Sequence, residues 1–405
     1  TKVMYLKESS GAVITPVLWT DRDGREVFWT PSAVGSDGIG GLTFGHHAGK
    51  HDETWVLSHF KMLLADQVAP GRFAGREAWD RWWQAGSALG WQSDVASPAA
   101  VAATYLGWVV RASVHYIERI EGSPVERVQV NVCVPFEQSE EPAANTAFLS
   151  TLAAAEALHG SLATGDRSTV DGGELLRLAA ETAATTKWSA EQSLWQPVPE
   201  ALAAFISIVE NESWRDGVYA LYDVGEGTTD VTVMEHSPMG PGFARQLYPG
   251  SRSVPRAVSW CTREIARRVA GGARPSDAQA QVFDEWKLAT DDVWRDAYKT
   301  YRKQSAWMGD RVRVFVSGGG SYDERFVSRV GNAWTPNFGT YRVARLPAPH
   351  DYPWEADAPF VRMCVAYGLA HDVATLVEGI APLDVGDRTP PPDERDEEDQ
   401  LHPYD

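Results

Sequence analysis

Residues 217–235 read GVYALYDVGEGTTDVTVME. Two runs rich in β-branched and aromatic residues, YALYDV and DVTVME, flank a glycine-rich centre, the pattern of two strands joined by a tight turn. The centre, DVGEGTTD, spans Asp223 to Asp230. Gly225 and Gly227 leave the backbone bare enough for an anion to approach, with N–H groups turned toward it. The Thr228 and Thr229 hydroxyls can donate to phosphate oxygens. Asp223 ends a buried strand, which suits a ligand of Mg²⁺-bound water or a base that orients water. Two rival readings use the same residues. A dinucleotide fingerprint needs a glycine where Asp230 stands and a helix where a strand follows. A plain hairpin needs only the glycines, and leaves two Asp and two Thr at this spacing without a task.

A second glycine-rich junction lies downstream in VRVFVSGGGSYDERF (312–326). Gly318, Gly319 and Gly320 separate a strand from a helix, so a flat ligand can lie on bare backbone beside Ser321 and a helix N-terminus. Outward from these junctions, short strands and turns fill the first fifty residues, with a hairpin turn at Asp21–Gly24. Helical spacing marks 53–66, and a Trp-rich stretch covers 72–94. Ser97 and Pro98 carry N-cap and N1 signals for a helix through about residue 120. A strand over 125–135 and a helix over 140–160 follow, then helical stretches at 173–188 and 197–210. Residues 254–307 are mainly helical with a break at 271–275, and a last helix covers about 358–378. Strands and helices recur in both halves, which predicts an α/β class.

Composition narrows the function. The 405 residues are 43% hydrophobic and 23% charged, with a net charge of −18. A chain so acidic is repelled by phosphate backbones and anionic lipid, so neither nucleic acid nor a membrane surface is an expected partner. No apolar run reaches membrane-spanning length. Cys133, Cys261 and Cys364 are far apart and form no CxxC pair, so reduced thiols and a cytoplasmic setting are expected. Residues 387–405 hold eight acidic residues against two arginines, a third of the net charge, and read as a disordered acidic tail. His46, His47, His51 and Asp52 have metal-ligand spacing if helical, but read more simply as a solvated face. Trp82 and Trp83 stand in a charged context that suits an exposed partner surface.

In this order the motifs resemble the nucleotide-binding domain of the DnaK-type heat-shock chaperones, within the actin-like ATPase superfamily. DVGEGTTD resembles the phosphate-2 hairpin, FVSGGGS the adenosine motif, and CVAYGLA (364–370) the second hinge helix, connect 2. VNVCVPFEQSEEPAANTAFLSTLAAAEALHG (130–160) resembles connect 1 and its strand. WTPSAVG (29–35), LTFGHHA (42–48) and SPAAVAATYL (97–106) match the family's early pattern. The resemblance implies a two-lobed α/β fold of ribonuclease H-like type, each lobe a mixed sheet flanked by helices. Lobe I would span 1–215, with a peripheral subdomain at 31–95. Lobe II would span 216–358, with a helical subdomain at 251–310. A hinge helix at 359–380 would return to lobe I, and the tail would occupy 381–405.

The same resemblance implies ATP or ADP with Mg²⁺ in the cleft. Asp223 would face the metal, Gly225, Glu226, Gly227, Thr228 and Thr229 the phosphates, and Gly318, Gly319, Gly320 and Ser321 the adenosine. Glu264, Arg267 and Arg268 fit the spacing of the adenine clamp, although Glu/Arg pairs at these intervals are ordinary on solvated helices. The family's phosphate-1 loop is not in this chain, and Thr1 corresponds to its last Thr. Glu226 replaces a usual glycine. In QPVPEALAAF (196–205), Gln196 cannot act as a base, and Glu200 is the displaced candidate for the catalytic carboxylate. Lys61 lies in the general region of the catalytic lysine but resembles a neighbouring position. The expected activity is a chaperone-like, Mg-ATP-driven switch that controls a protein partner or self-association. A pseudo-ATPase, a filament-forming protein and a small-molecule kinase on the same fold are the alternatives.

Overall fold

The computed structural model describes residues 1–7, 13–37, 40–48, 56–68, 70–71, 75–88, 90–91, 95–134, 142–165, 167–209, 217–236, 244–300, 307, 312–331, 341–350, 352–356, 358–371 and 380–381. The acidic tail, His51 and Asp52 lie outside these residues. The class is mixed α/β, as expected.

The first half opens with two small antiparallel pairs, β1 (Met4–Leu6) with β2 (Ile14–Pro16) and β3 (Trp19–Thr20) with β4 (Glu26–Val27). Strands β5 (Ala33–Ser36), β6 (Gly41–Phe44) and β7 (Val56–Ser58) precede helices α1 (Phe60–Val68), α2 (Gly75–Ala88) and α3 (Pro98–Glu121). Then come β8 (Val130–Val134), α4 (Pro142–Leu158), β9 (Arg167–Asp171), α5 (Gly172–Thr185), β10 (Trp195–Pro199) and α6 (Glu200–Val209). A four-stranded sheet has the order β7-β5-β6-β9, so the segment 31–95 recruits a strand from far downstream. Its core is continuous with α3: Trp108 stacks on Phe44 with ring centroids 5.1 Å apart. The start of α3 matches its signals, with Ser97 Oγ accepting from the Ala100 N–H at 3.2 Å. Gly122, at φ 66°, closes its end in the left-handed conformation.

The second half is built on one six-stranded sheet. Its elements are β11 (Gly217–Val224), β12 (Thr229–His236), β13 (Ala244–Val254), α7 (Val258–Ala270), α8 (Pro275–Thr300), β14 (Val312–Ser317), α9 (Glu324–Gly331), β15 (Arg342–Arg345), α10 (Phe360–Leu369) and β16 (Ile380–Ala381). The order is β15-β14-β11-β12-β13-β16, with β11, β12 and β13 antiparallel and the other pairings parallel.

β11 decides what faces what. Its even-numbered residues, Val218, Ala220, Tyr222 and Val224, pack with Trp286 and Trp294 of α8. Tyr219 and Leu221 pack on the other face with Phe205 of α6 and with Phe360, Met363, Cys364 and Tyr367 of α10. The period of two therefore aims Asp223 at α6 and α10, away from the α8 core.

Two local expectations need correction. The helix expected at 53–66 begins only at Phe60; Val56–Ser58 is a strand, and His59 between them has φ 61°. The helical stretch expected at 197–210 opens with β10, which pairs in parallel with β8. Helix α6 crosses α10: a side chain at Gly368 of α10 would place its Cβ 1.7 Å from the Ala203 carbonyl oxygen. Helix α4 packs against α3.

That contact leaves no room for a methyl group. Gly368→Ala is expected to lower stability by about 3 kcal/mol in urea unfolding, the upper range for overpacking. Gly160→Ala, where a Cβ meets open space, should stay within about 0.5 kcal/mol of the parent.

Candidate functional site

The hairpin forms the floor of the site. Asp223 and Asp230 are direct partners across the β11–β12 ladder, so both carboxylates leave the same face. The four-residue turn is closed by Gly225 N–H donating to the Thr228 carbonyl at 3.0 Å. Gly227 is pressed against α1, since a Cβ there would lie 2.6 Å from Met62 Sδ. Thr228 Oγ1 donates to Asp230 Oδ2 at 3.0 Å. Thr229 is fully buried; its hydroxyl donates to the Arg256 carbonyl at 2.8 Å and accepts from Trp286 Nε1 at 3.0 Å. Its hydroxyl thus belongs to the α8 core, away from the face that Asp223 occupies.

Opposite the hairpin, the first half contributes two charges. Lys61, in the first turn of α1, donates to Glu200 Oε2 at 2.7 Å. Glu200 is the first residue of α6, directly after β10, and Cys133 approaches the pair from β8. Burial opposes the Lys61 charge, but Glu200, Cys133 and Asp230 outweigh it and hold the ammonium well above the ordinary lysine range. Burial likewise disfavours the Glu200 carboxylate, yet Lys61 and Lys2 hold it below the usual range. The remaining two acids are left short of countercharge. Burial and the Glu200 charge push Asp223 up to about 6 against the pull of Lys2 and Lys61. The same two causes push Asp230 up to about 7. Burial and Glu200 also push the Cys133 thiol up to about 11, which leaves it protonated and unreactive.

The second glycine junction abuts the same acids. Gly318 has φ 78°, donates its N–H to the Val361 carbonyl of α10 at 2.7 Å, and lies where any Cβ would strike Asp223 Oδ1. At Gly320 a Cβ would overlap Val224, whereas Gly319 is exposed. The Ser321 hydroxyl is buried and donates to the Gly318 carbonyl at 2.7 Å, so it shapes the turn. Glu226 is exposed. Its carbonyl accepts from Ser259 N–H at 3.0 Å, and its carboxylate accepts from Ser259 Oγ at 3.4 Å.

Thr1 borders the site: its amino nitrogen bears electrostatically on Cys133 and Lys61, and its Oγ1 meets Ser32 Oγ at 2.9 Å. The other expected residues stand apart. Glu264 accepts from Arg267 Nε and Arg268 Nε, both at 2.8 Å, and Arg268 also reaches Glu285 at 2.7 Å. These hydrogen bonds push Glu264 down to about 2, and the group satisfies itself. His46 Nε2 bonds the Trp29 carbonyl at 2.8 Å. Trp82 is buried and Trp83 is 39% exposed, so the expected pair is split between core and surface. The sequence marks Glu200 as a candidate carboxylate and places Lys61 in the region of the catalytic lysine, but not that the two pair; Lys2 is not singled out, and Asp230 enters only through its spacing from Asp223.

Among the described residues, no three His, Cys, Asp or Glu side chains converge closely enough to hold a metal directly. Hard oxygen donors with raised proton affinity nonetheless suit Mg²⁺, which retains several waters and relieves carboxylate repulsion through them. No protein-family model matches the sequence, and no curated protein matches it significantly. No helix among the described residues is long and apolar enough to cross a membrane.

Asp230 ionises in the folded chain only near pH 7 but near pH 4 when unfolded. Its ionisation therefore costs stability progressively from about pH 4 to pH 7. Asp230→Asn should match the parent's melting temperature at pH 4 and exceed it by about 3 °C or more at pH 8, read by calorimetry.

Proposed function

We propose that the protein binds a nucleoside triphosphate with Mg²⁺ and hydrolyses it, as a chaperone-like or actin-like ATPase in which two lobes close on the nucleotide. One observation carries this reading: Lys61, Glu200, Asp223 and Asp230, from separate segments of the chain, converge beside two glycine turns whose backbones are closely approached. Two hydrophobic cores, one in each half, joined through crossing helices α6 and α10, support a two-lobed actin-like architecture.

In this reading Gly225 shapes the turn that brings the backbone at Gly227 to the β/γ-phosphates, and Gly318 shapes the one that brings Gly319 and Gly320 to the nucleoside. Asp223 and Asp230 would hold the waters of Mg²⁺. Bound there, the ion would neutralise charge on the phosphates during transfer. Lys61, locked as an ammonium by Glu200, faces the same negative charge from the other side. Glu200 is held below the ordinary carboxylate range and is a poor proton acceptor, so its task is to anchor Lys61 and orient water rather than to deprotonate it. The switch would act on a protein partner or on further copies of the chain.

The pairing of Lys61 with Glu200 favours turnover over a pseudo-ATPase. Calorimetry should show Mg-dependent ATP binding well below millimolar; absence of binding up to millimolar ATP would sink the proposal. Asp223→Ala should abolish Mg²⁺-dependent phosphate release while circular dichroism stays unchanged. Glu200→Gln, which loosens Lys61 and the water it orients, should slow release about a hundredfold, the cost of a misplaced positioning group, with ATP affinity within about threefold. Nucleotide-dependent sedimentation would assign the partner as self-association.

A further inference from the structure

Ser317 ends β14 and is fully buried. In the parallel register it stands beside Asp223, so the two side chains leave the same face of the sheet. From the opposite side α10 brings Cys364, also buried. Ser317 Oγ is sealed from solvent without a hydrogen bond of good geometry. It nonetheless bears on both neighbours, favouring the charged form of the Asp223 carboxyl and of the Cys364 thiol. A buried hydroxyl with nowhere to donate is costly, and alanine or valine would fill a strand end without that cost. Of the two groups it faces, the carboxylate is the strong acceptor and the thiol a weak one. The next residue tightens the arrangement: the N–H of Gly318 is held by the Val361 carbonyl of α10, and a Cβ on it would lie 2.3 Å from Asp223 Oδ1.

We propose that Ser317 is a positioning residue for the cation site. Its hydroxyl, confined by Cys364 of α10, donates to the Asp223 carboxylate and sets which oxygen is presented to the cation's water shell. This rests on the Mg-nucleotide reading of the site. It makes the geometry of Asp223 depend on how α10 is seated, since Cys364 and Val361 both belong to that helix.

The test is calorimetric titration of Mg²⁺ into ADP-loaded protein. Ser317→Ala should weaken Mg²⁺ about tenfold, the loss of one hydrogen bond to a charged group, with ADP affinity in EDTA within twofold. Ser317→Thr, which keeps the hydroxyl, should restore Mg²⁺ affinity to within about threefold. A double-mutant cycle in urea, without ligand, gives an independent readout. Ser317→Ala should shift the unfolding midpoint of the parent but not of Asp223→Ala. Additive effects in the cycle overturn the proposal, as does unchanged Mg²⁺ affinity of Ser317→Ala where the parent binds Mg²⁺. A parent that binds no Mg²⁺ with ADP refutes the nucleotide reading instead, and the cycle alone then judges Ser317.

Discussion

The register of β11 with β12 sets Asp223 and Asp230 directly opposite each other on one face of the sheet, and their withdrawal from water there is the main cost of their charge. Glu200 adds a third negative charge from the other half of the chain, and the ammonium of Lys61 is bonded to it. The result is asymmetric. One acid is stabilised as an anion, while two have their proton affinity raised toward neutrality. Fold stability alone would be served better by apolar residues at 223 and 230, since the strands around them are otherwise core. An arrangement of this kind makes chemical sense where a cation completes it.

The geometry that brings these charges together follows from packing. Alternation along β11 sends Tyr222 into the α8 core and Asp223 toward α6 and α10. Helix α6 carries Glu200 at its first residue and lies against α10 at Ala203 and Gly368, close enough that backbone meets backbone. Helix α10 in turn holds the glycine junction through Val361 and Gly318. Asp223, Glu200 and the second glycine turn are thus referenced to one helix crossing. A rotation of the two halves about that crossing would change all of their separations together.

The parts legible in the sequence were those carried by local pattern. Period-two alternation and the paired glycines mark the hairpin, and Ser97 with Pro98 marks the start of α3. What was hidden falls into two kinds. Lys61 and Glu200 are 139 residues apart, and no local signal couples them; only the parallel pairing of β8 with β10 sets the start of α6 against α1. Local exceptions hid the rest. Pro197 and Pro199 argue against a strand, yet β10 belongs to a two-stranded pair, where a missing N–H on the open edge is tolerated. His59 adopts a conformation rare outside glycine and so splits what reads as one helix into a strand and a helix. Ala203 and Gly368 are small, which is the sequence trace of a close helix crossing, but the trace acquires meaning only once the partner helix is known.

Charge poses the remaining difficulty for the proposed function, because an acidic chain would have to attract a polyanion. The first N–H groups of a helix usually serve such a ligand, and α7 begins beside the β11–β12 hairpin. Those groups are already committed: Val258 N–H reaches the Gly225 carbonyl at 3.4 Å and Ser259 N–H the Glu226 carbonyl at 3.0 Å. The Glu226 carboxylate, bonded to Ser259 Oγ, sits at the same positive helix end, which offsets its charge. The dipole of α7 is therefore spent on tolerating Glu226 rather than on holding phosphate. Under the proposed function, attraction would have to come from Lys61, Lys2 and a cation held by Asp223 and Asp230. Phosphate binding at this site should accordingly depend on divalent cation far more than a hairpin backed by a free helix N-terminus would.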